Sequence, residues 1–455
     1  MSTFPDVDPA TGETLAEIEI TDSAALAAAI QRAHAAQPAW AELPFEERRA
    51  LLAAGAERLK ERAGEAADLI TREMGKVRAD ALREVRGWAG GLDKLMDEVE
   101  RSLAPEVLEA AGSETRVVRE PLGVVAAITP WNFPVGMPLE IFLPALATGN
   151  AVVFKPSEHV PLTGALLHEV FSEGLPEGVF ELVQGAGEVG AALVEGDVDM
   201  IGFVGSRDTG MRIMQSASRG LKRLVLELGG KDPLVVFGDA DLEAAADCAV
   251  QHSLRNTGQV CCSVERVYVA DDVAEEFERL VVAKASDWRH GNGMEAESRM
   301  GPMVSAEQRA KVVEQVDDAV RGGARLLLGG EQPDGAGYFY PATVLADVGE
   351  ELRISRDETF GPVVSLTRFS GDEEEAVRLA NDTPYGLGAN VYTGDLERGQ
   401  RVARRIRSGQ VGINRYLGGA SGAPWVGARQ SGFGFLGGVD GHKQFTLPKS
   451  ISYPR

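Results

Sequence analysis

Cysteine is scarce in this chain: three residues among 455, two of them adjacent, and no C-x-x-C pair. So few thiols cannot build a disulfide framework, and they fit a reducing cytoplasm. Histidine is nearly as rare. His34, His159, His168, His252, His290 and His442 show no ligand spacing, so no structural metal is expected. Long apolar runs are missing, with none near the roughly 18 residues that read as a bilayer-spanning helix. The first residues carry neither a basic nor an apolar stretch, so no secretory signal is expected. Basic side chains are in deficit: 46 Lys and Arg against 69 Asp and Glu leave a formal charge of −23. Nucleic acid and anionic membranes need basic patches, so both are excluded as expected partners.

What is present is an ordinary globular composition, 44% hydrophobic and 25% charged, in a chain long enough for two or three domains. Residues 1–20 read as an extended lead-in with a turn at Asp8-Pro9-Ala10-Thr11-Gly12. Asp22 or Ser23 should cap an alanine-rich helix that Pro38 stops. Helical spacing then runs from Pro44 to about Met74 and again from Lys76 to Ser102. From residue 104 the character changes. Arg116–Pro121 reads as an exposed hairpin strand, and after it come short apolar runs bounded by turns: 123–128, 151–154, 180–183, 200–204 and 224–226. Alternating with helices, they predict an open parallel α/β sheet of the dinucleotide-binding kind. A second α/β unit begins near Glu227, with strands over 233–237, 266–270, 324–328 and 363–369. The glycine-rich segment 418–441 reads as loop near a site, and 445–453 as a strand pairing outside its own domain.

One stretch organises the rest, Asn256-Thr257-Gly258-Gln259-Val260-Cys261-Cys262, with Leu226-Glu227-Leu228-Gly229-Gly230-Lys231 upstream. A thiol is a nucleophile once ionised, and a preceding glycine lets main-chain N–H groups face developing negative charge. A carboxylate between leucines, such as Glu227, needs a partner or a proton, and it is the candidate to deprotonate an attacking water. Taken alone, Cys261 reads equally as core packing. The same holds elsewhere: Asn132 as a turn residue, Lys155 and Glu158 as a solvated pair, and Glu358 as a surface acid.

Further blocks stand in order around that pair: Pro130-Trp131-Asn132-Phe133-Pro134, Lys155-Pro156-Ser157-Glu158, Phe203-Val204-Gly205-Ser206, Glu358-Thr359-Phe360-Gly361-Pro362, Asn381–Leu387 and Gln430-Ser431-Gly432. Together they resemble the non-acylating, semialdehyde- and aminoaldehyde-like branch of the NAD(P)-dependent aldehyde dehydrogenase superfamily, along nearly the whole chain. The resemblance implies an α/β fold with three parts. They are a Rossmann-type cofactor domain (1–103 and 122–226), an α/β catalytic domain (227–430) and a small β oligomerisation arm (104–121 and 431–455) that serves a homodimer or homotetramer. It further implies oxidation of a small aldehyde to a carboxylic acid, with Cys261 as nucleophile, Asn132 with the Cys261 N–H as oxyanion hole, and Glu227 as the base that hydrolyses the thioester. Trp131, Lys155, Ser157, Glu158, Gly187, Gly205, Ser206, Leu228, Glu358 and Phe360 would hold the cofactor. The Glu158 carboxylate would accept from a 2′-hydroxyl and repel a 2′-phosphate, which favours NAD over NADP. A coenzyme A-acylating relative is the alternative, and relatives of that kind generally lack the acid at 227.

Two patterns are decoys. Gly185–Gly190 matches G-x-G-x-x-G, but in relatives of this kind the loop borders the adenine. Gly205–Gly210 has the outer spacing of a P-loop without its Lys-Ser/Thr. The substrate wall is where the chain departs from the pattern. Glu140 stands where many relatives carry an aromatic or an arginine, and Ile141 where lysine is frequent. Glu140 either lines the substrate tunnel, disfavouring a distal carboxylate, or turns aside to an arginine. Phe133, Tyr416 and Trp425 would supply aromatic tunnel surface, while Arg415 pulls toward an acidic substrate.

Overall fold

Short runs of Val, Ile, Ala and Phe build the first sheet of this computed structural model, which describes residues 2–420 and 422–454. Its six strands lie in the order Gly432–Phe433, Arg223–Glu227, Met200–Val204, Val124–Ile128, Ala151–Lys155, Phe180–Leu182, all parallel except the first. Every residue of the 124–128, 151–155 and 200–204 strands is buried, which requires helices on both faces. The chain starts at the central strand, runs to one edge, then returns to the other side of its start. A sheet reversed in this way opens a crevice beyond its carboxyl ends. Trp131 and Asn132 follow the central strand there, Lys155 ends the next, Gly205 and Ser206 follow the 200–204 strand, and Glu227 ends the fifth.

The second sheet has seven strands, ordered Arg325–Leu328, Thr343–Ala346, Val363–Phe369, Val264–Ala270, Asp232–Val236, Gly388–Tyr392, Gln410–Ile413, parallel except for the first. All four strands expected in this region are present within a residue or so of their predicted positions. A third sheet joins Thr446–Pro454 to Ser113–Pro121 over nine paired positions, with Glu106–Ala110 at the edge. The tail therefore does pair with the 104–121 excursion. The lead-in is a hairpin of Thr3–Val7 and Thr14–Glu19, turned at Asp8, whose carboxylate accepts from the Ala10 N–H at 2.7 Å. No helix among the described residues is long and apolar enough to cross a membrane.

Two helix boundaries differ from expectation. Asp22 caps the first helix, accepting from the Ala24 and Ala25 N–H groups, but the helix runs through Pro38 to Glu42. A proline inside a helix costs about 3 kcal/mol or more. Beyond it, Trp40 is 1% exposed and its indole N–H donates to the Leu146 carbonyl at 2.9 Å, which anchors the last turn. The stretch 44–74 is two helices, Phe45–Glu61 and Ala63–Met74, broken at Arg62 (φ −96°, ψ 14°). The break lets Ala63, Ala66 and Ala67 bury their small faces. The 418–441 segment is mostly loop, with a short strand at Gly432–Phe433 and a short helix at Gly438–His442.

Trp40→Phe removes the indole N–H from the buried Leu146 carbonyl, which keeps the Gly149 N–H at 3.0 Å, and puts a smaller ring in a packed site. The expected loss is about 1–3 kcal/mol, read as a lower urea midpoint at unchanged cofactor affinity.

Candidate active site

Cys261 is delivered by a left-handed backbone. After the Leu242–Leu254 helix, Asn256 (φ 54°), Thr257 (φ 59°) and Gly258 (φ 70°) succeed one another in the αL region. Each non-glycine residue there costs of order 1–3 kcal/mol and persists only where its surroundings over-determine it. They do so here. Asn256 Nδ2 donates to the Gln259 and Asn132 carbonyls (3.1 and 3.2 Å), Thr257 Oγ1 to the Gly301 carbonyl (3.0 Å), and Gln259 Oε1 accepts from the Val304 N–H (2.9 Å). At 258 only glycine fits, because a Cβ would lie 2.0 Å from the Gly361 oxygen.

Asn132 meets this loop from the first sheet. Its Nδ2 donates to the Gln259 carbonyl at 3.1 Å. A side-chain amide has two N–H donors, so one remains for a substrate oxygen. The Cys261 backbone N–H donates to nothing among the described residues, and is the second free donor. Lys76, which sequence reasoning missed, fixes this arrangement from below. Its ammonium is buried, donates to the Asn132 carbonyl at 2.7 Å, pairs with Glu84, and lies 4.0 Å from the Phe133 ring centroid. Position 76 lies 56 residues from Asn132, and nothing in the linear pattern announces the contact.

A cavity of about 180 Å³ gathers Asn132, Phe133, Met137, Glu227, Cys261 and Glu358, with Trp131, Gly205, Ser206, Leu228 and Phe360 also on its wall. Glu227 is 4% exposed and neither carboxylate oxygen has a hydrogen-bond partner. The nearest backbone donor, Leu436 N–H, is committed to the Trp425 carbonyl at 3.1 Å. Burial, then the charge of Glu140, raises the Glu227 carboxyl well above the usual range. The Cys261 thiol is also held well above its ordinary value, first by its hydrogen bond toward the Cys262 sulfur and then by burial. In the resting protein, then, Cys261 is a thiol awaiting a base.

A second cavity, about 560 Å³, shares Trp131, Gly205 and Ser206 with the first and adds Lys155, Ser157, Glu158 and Gly187. The Lys155 ammonium is 3.0 Å from the Pro156 carbonyl and 3.9 Å from Glu158. Ser206 caps the Arg207–Ala217 helix, accepting from the Thr209 N–H, and Gly205 admits no side chain because a Cβ would stand 2.4 Å from the Phe203 ring. Here a helix N-terminus and a bare backbone face open space, the setting that takes a pyrophosphate. Gly187 opens the Gly187–Glu195 helix on the same cavity. Beyond Trp131, whose ring meets Phe360 edge-on at 5.5 Å, the groove runs into the catalytic cavity. There Glu358 accepts from the Gly230 N–H (3.0 Å), and Gly229 leaves room that a Cβ would fill, 2.5 Å from Glu358 Oε1. Thr359 and Phe360 N–H groups both donate to Glu265, itself paired with the buried Lys231 at 2.6 Å. This buried pair, and Gln308 and Lys311 on the cavity wall, were also missed.

A third cavity, about 540 Å³, meets the catalytic one at Phe133 and carries Glu140 on its wall. Trp425 packs in one apolar cluster with Phe133 and Cys261. Tyr416, expected on the tunnel surface, is on the wall of none of the three cavities. Its hydroxyl donates to the Cys262 carbonyl at 2.7 Å and its ring stacks on His252, so it braces the second cysteine from behind. Glu140 pairs with no arginine among the described residues.

A family profile described as "Aldehyde dehydrogenase family" matches residues 1–451. The chain is 39% identical over 426 residues to betaine aldehyde dehydrogenase of Bacillus subtilis (90% of this chain, 86% of the relative). It is 38% identical over 448 residues to a probable NADP(+) succinate-semialdehyde dehydrogenase of Sinorhizobium fredii (97% and 91%). Among solved structures, a lactaldehyde dehydrogenase superposes with a TM-score of 0.97 at 35% identity (100% and 96% covered). Betaine aldehyde dehydrogenase from Staphylococcus aureus, in complex with NAD+, gives 0.95 at 33% (99% and 91%).

A thiol with a raised pKa is under-ionised at neutral pH. Alkylation of Cys261 by iodoacetamide, followed by mass spectrometry of the free protein, is expected to be slower at pH 7 than that of free cysteine. Its rate should keep rising with pH beyond about 8.5, where a free thiol levels off.

Proposed function

The chain belongs to the aldehyde dehydrogenase family, and from that premise we propose that Cys261, Glu227 and Asn132 carry its reaction, the NAD-dependent oxidation of an aldehyde to a carboxylic acid. The observation that supports this most is their convergence on one cavity, with two unspent N–H donors beside the thiol and an unpartnered carboxylate across from it. Cys261 attacks the aldehyde carbon once its thiol proton has passed to cavity water, which leaves the Glu227 carboxylate free for the later step. The oxygen turns anionic in the thiohemiacetal, within reach of the second Asn132 N–H and the Cys261 N–H. Losing one such donor typically costs about 10²–10³ in rate. Bound NAD supplies the hydride acceptor that leaves a thioester on Cys261. Glu227 then removes a proton from water, whose oxygen attacks the thioester carbon as the C–S bond breaks and the carboxylate departs. A carboxylate poised for that water favours hydrolysis over acyl transfer to coenzyme A.

Lys155, Ser157 and Glu158 would hold the adenosine ribose, Gly187 would border the adenine, and Gly205 with Ser206 would meet the pyrophosphate. Trp131, Leu228, Glu358 and Phe360 would position the nicotinamide half. Glu158 supports a preference for NAD over NADP, through repulsion of a 2′-phosphate. The substrate we assign is a small semialdehyde, aminoaldehyde or aliphatic aldehyde. The outer cavity mixes Asp80, Glu84, Glu98 and Glu140 with Lys76, Arg83, Lys94 and Arg255, so its charge selects no single one of these. Phe133, on the wall of both the catalytic and the outer cavity, offers the aromatic surface, whereas Trp425 packs beside it and lines neither.

The three larger sheets support a three-part division at 1–103 with 122–226, 227–430, and 104–121 with 431–455, although Gly432–Phe433 of the third part pairs with the first sheet. The arm's exposed Val107, Leu108, Leu447 and Ile451 support burial against a second subunit, in a homodimer or homotetramer. Cytoplasmic residence fits three free cysteines.

NADH absorbance with a panel of small aldehydes tests the reading. Cys261→Ala should release no NADH. Glu227→Gln should form NADH in a single-turnover burst and then turn over about 10²–10⁴-fold more slowly. NADH formation by Cys261→Ala would overturn the assignment. In parallel, Glu158→Gln should raise kcat/KM with NADP relative to NAD, and an unchanged ratio would remove the 2′-position role.

A further inference from the structure

Hydrolysis leaves Glu227 holding a proton that must depart before the next turnover. The base is buried and no donor or acceptor side chain hydrogen-bonds to it among the described residues, so its exit route is not a string of bonds to the nearest surface. The charge that acts on it most is that of another acid, Glu140. Phe133, Met137 and Glu140 are spaced as one stripe of the 133–147 segment that contains the Gly136–Ala147 helix. Phe133 and Met137 line the catalytic cavity, and Phe133 and Glu140 the outer one. Glu140 thus lines the outer cavity a turn beyond Met137 on the inner one, and Leu436-Gly437 bridges the two acids, Leu436 beside Glu227 and Gly437 beside Glu140.

No cation claims it. Lys76 is paired with Glu84, and the Arg255 guanidinium lies over the Phe133 ring at 5.8 Å. The room for the Glu140 carboxyl comes from Gly437 (φ 70°), where a Cβ would sit 3.2 Å from Oε1. Beyond it on the same wall is Glu98, 7% exposed, with His442 Nε2 standing 3.6 Å from its Oε2. Burial, then the charge of Glu98, lifts the Glu140 carboxyl to about 7, where it gains and loses a proton with little bias at neutral pH.

We infer that Glu140 is the proton acceptor behind Glu227, passing the proton released in thioester hydrolysis toward Glu98 and His442 on the outer cavity wall. The inference rests on the role given to Glu227 above. In the step, water loses a proton to the Glu227 carboxylate and its oxygen bonds to the acyl carbon. The C–S bond breaks and the electron pair returns to Cys261. Protonated Glu227 then gives that proton to the Glu140 carboxylate, directly or through one water, and both acids are reset when Glu140 releases it to Glu98 or to cavity water. Glu140 acts through Glu227 and is a positioning and relay group, not a contact to the reacting carbon.

The test isolates deacylation and needs no cofactor. p-Nitrophenyl acetate acylates an accessible thiol, giving a burst of nitrophenolate, and loss of the acetyl adduct is followed by intact mass. Glu140→Gln should keep the burst, which reports a folded and reactive Cys261. Adduct loss should slow about tenfold or more, and added formate or imidazole, as small proton carriers, should restore part of it. Wild-type adduct loss in mixtures of H2O and D2O should curve with deuterium fraction, as for more than one proton in flight. Unchanged adduct loss in Glu140→Gln, slowed loss that no carrier rescues, or a linear dependence in the wild type would each overturn the relay. A burst that persists in Cys261→Ala, or wild-type adduct loss in Glu227→Gln, would instead sink the underlying assignment of nucleophile and base.

Discussion

A single side-chain amide ties the two halves of this enzyme's chemistry together. The Asn132 Nδ2 bond to the Gln259 carbonyl joins the carboxyl end of one sheet to the loop that precedes a strand of the other. Both groups are buried, and breaking the bond would strand the Asn132 donor and leave the Gln259 carbonyl with Asn256 Nδ2 alone. The left-handed run at Asn256–Gly258 is stabilised in the same network, with Asn256 reaching the carbonyl of the same Asn132. Lys76 holds that carbonyl from a helix-flanking segment of the first part. The thiol's position is therefore set by groups from three separate stretches of chain, of which only the 256–259 loop is next to it in sequence.

The site concentrates buried charge that has little to satisfy it. Among the described residues, Glu227 has no side-chain partner, Glu140 has no counter-ion, and Asp232, next to the cysteine pair in space, has two buried oxygens without side-chain donors. Groups like these are expensive to bury ionised, and a raised pKa is how the protein lowers that expense. Two buried cations at the second sheet are matched, though Asp6 of the lead-in hairpin is another buried acid with no counter-ion among the described residues. Lys231 meets Glu265, and Arg266 spends its guanidinium on the carbonyls of Lys231, Leu379 and Ala380. The Lys231–Glu265 pair holds the Thr359–Phe360 segment still, while Glu227 and Glu140 sit where protons must move.

The chemistry was more legible in the sequence than the scaffolding. Cys261, Glu227 and Asn132 each read ambiguously alone and stood out only through the ordered blocks that carry the resemblance, while the alternating apolar runs announced both sheets. What stayed hidden depends on distance along the chain. Lys76 reads as an ordinary basic residue until folding brings it to Asn132, and Pro38 reads as a helix stop until Trp40 is seen to find its pocket. Tyr416 misled for the opposite reason. An aromatic near a substrate-facing loop looks like tunnel surface, and only the bond to the Cys262 carbonyl shows that it faces inward. The break at Arg62 carries no glycine or proline at the break itself, so no local signal marked it.

The pairing of Thr446–Pro454 with Ser113–Pro121 has a consequence for how the protein is made. Thr115 Oγ1 and Ser452 Oγ are 2.8 Å apart in space but 337 positions apart in the chain. The 106–121 hairpin leaves the ribosome early and must wait, one edge uncovered, until residue 454 follows. An uncovered strand edge invites pairing with other nascent chains. Charged side chains along that edge, among them Arg116, Arg119 and Glu120, discourage such pairing during the wait, and Lys449 later meets Glu120 at 2.6 Å. The late strand thus makes synthesis itself the period of greatest exposure to misassembly, with the early hairpin's charges as its safeguard.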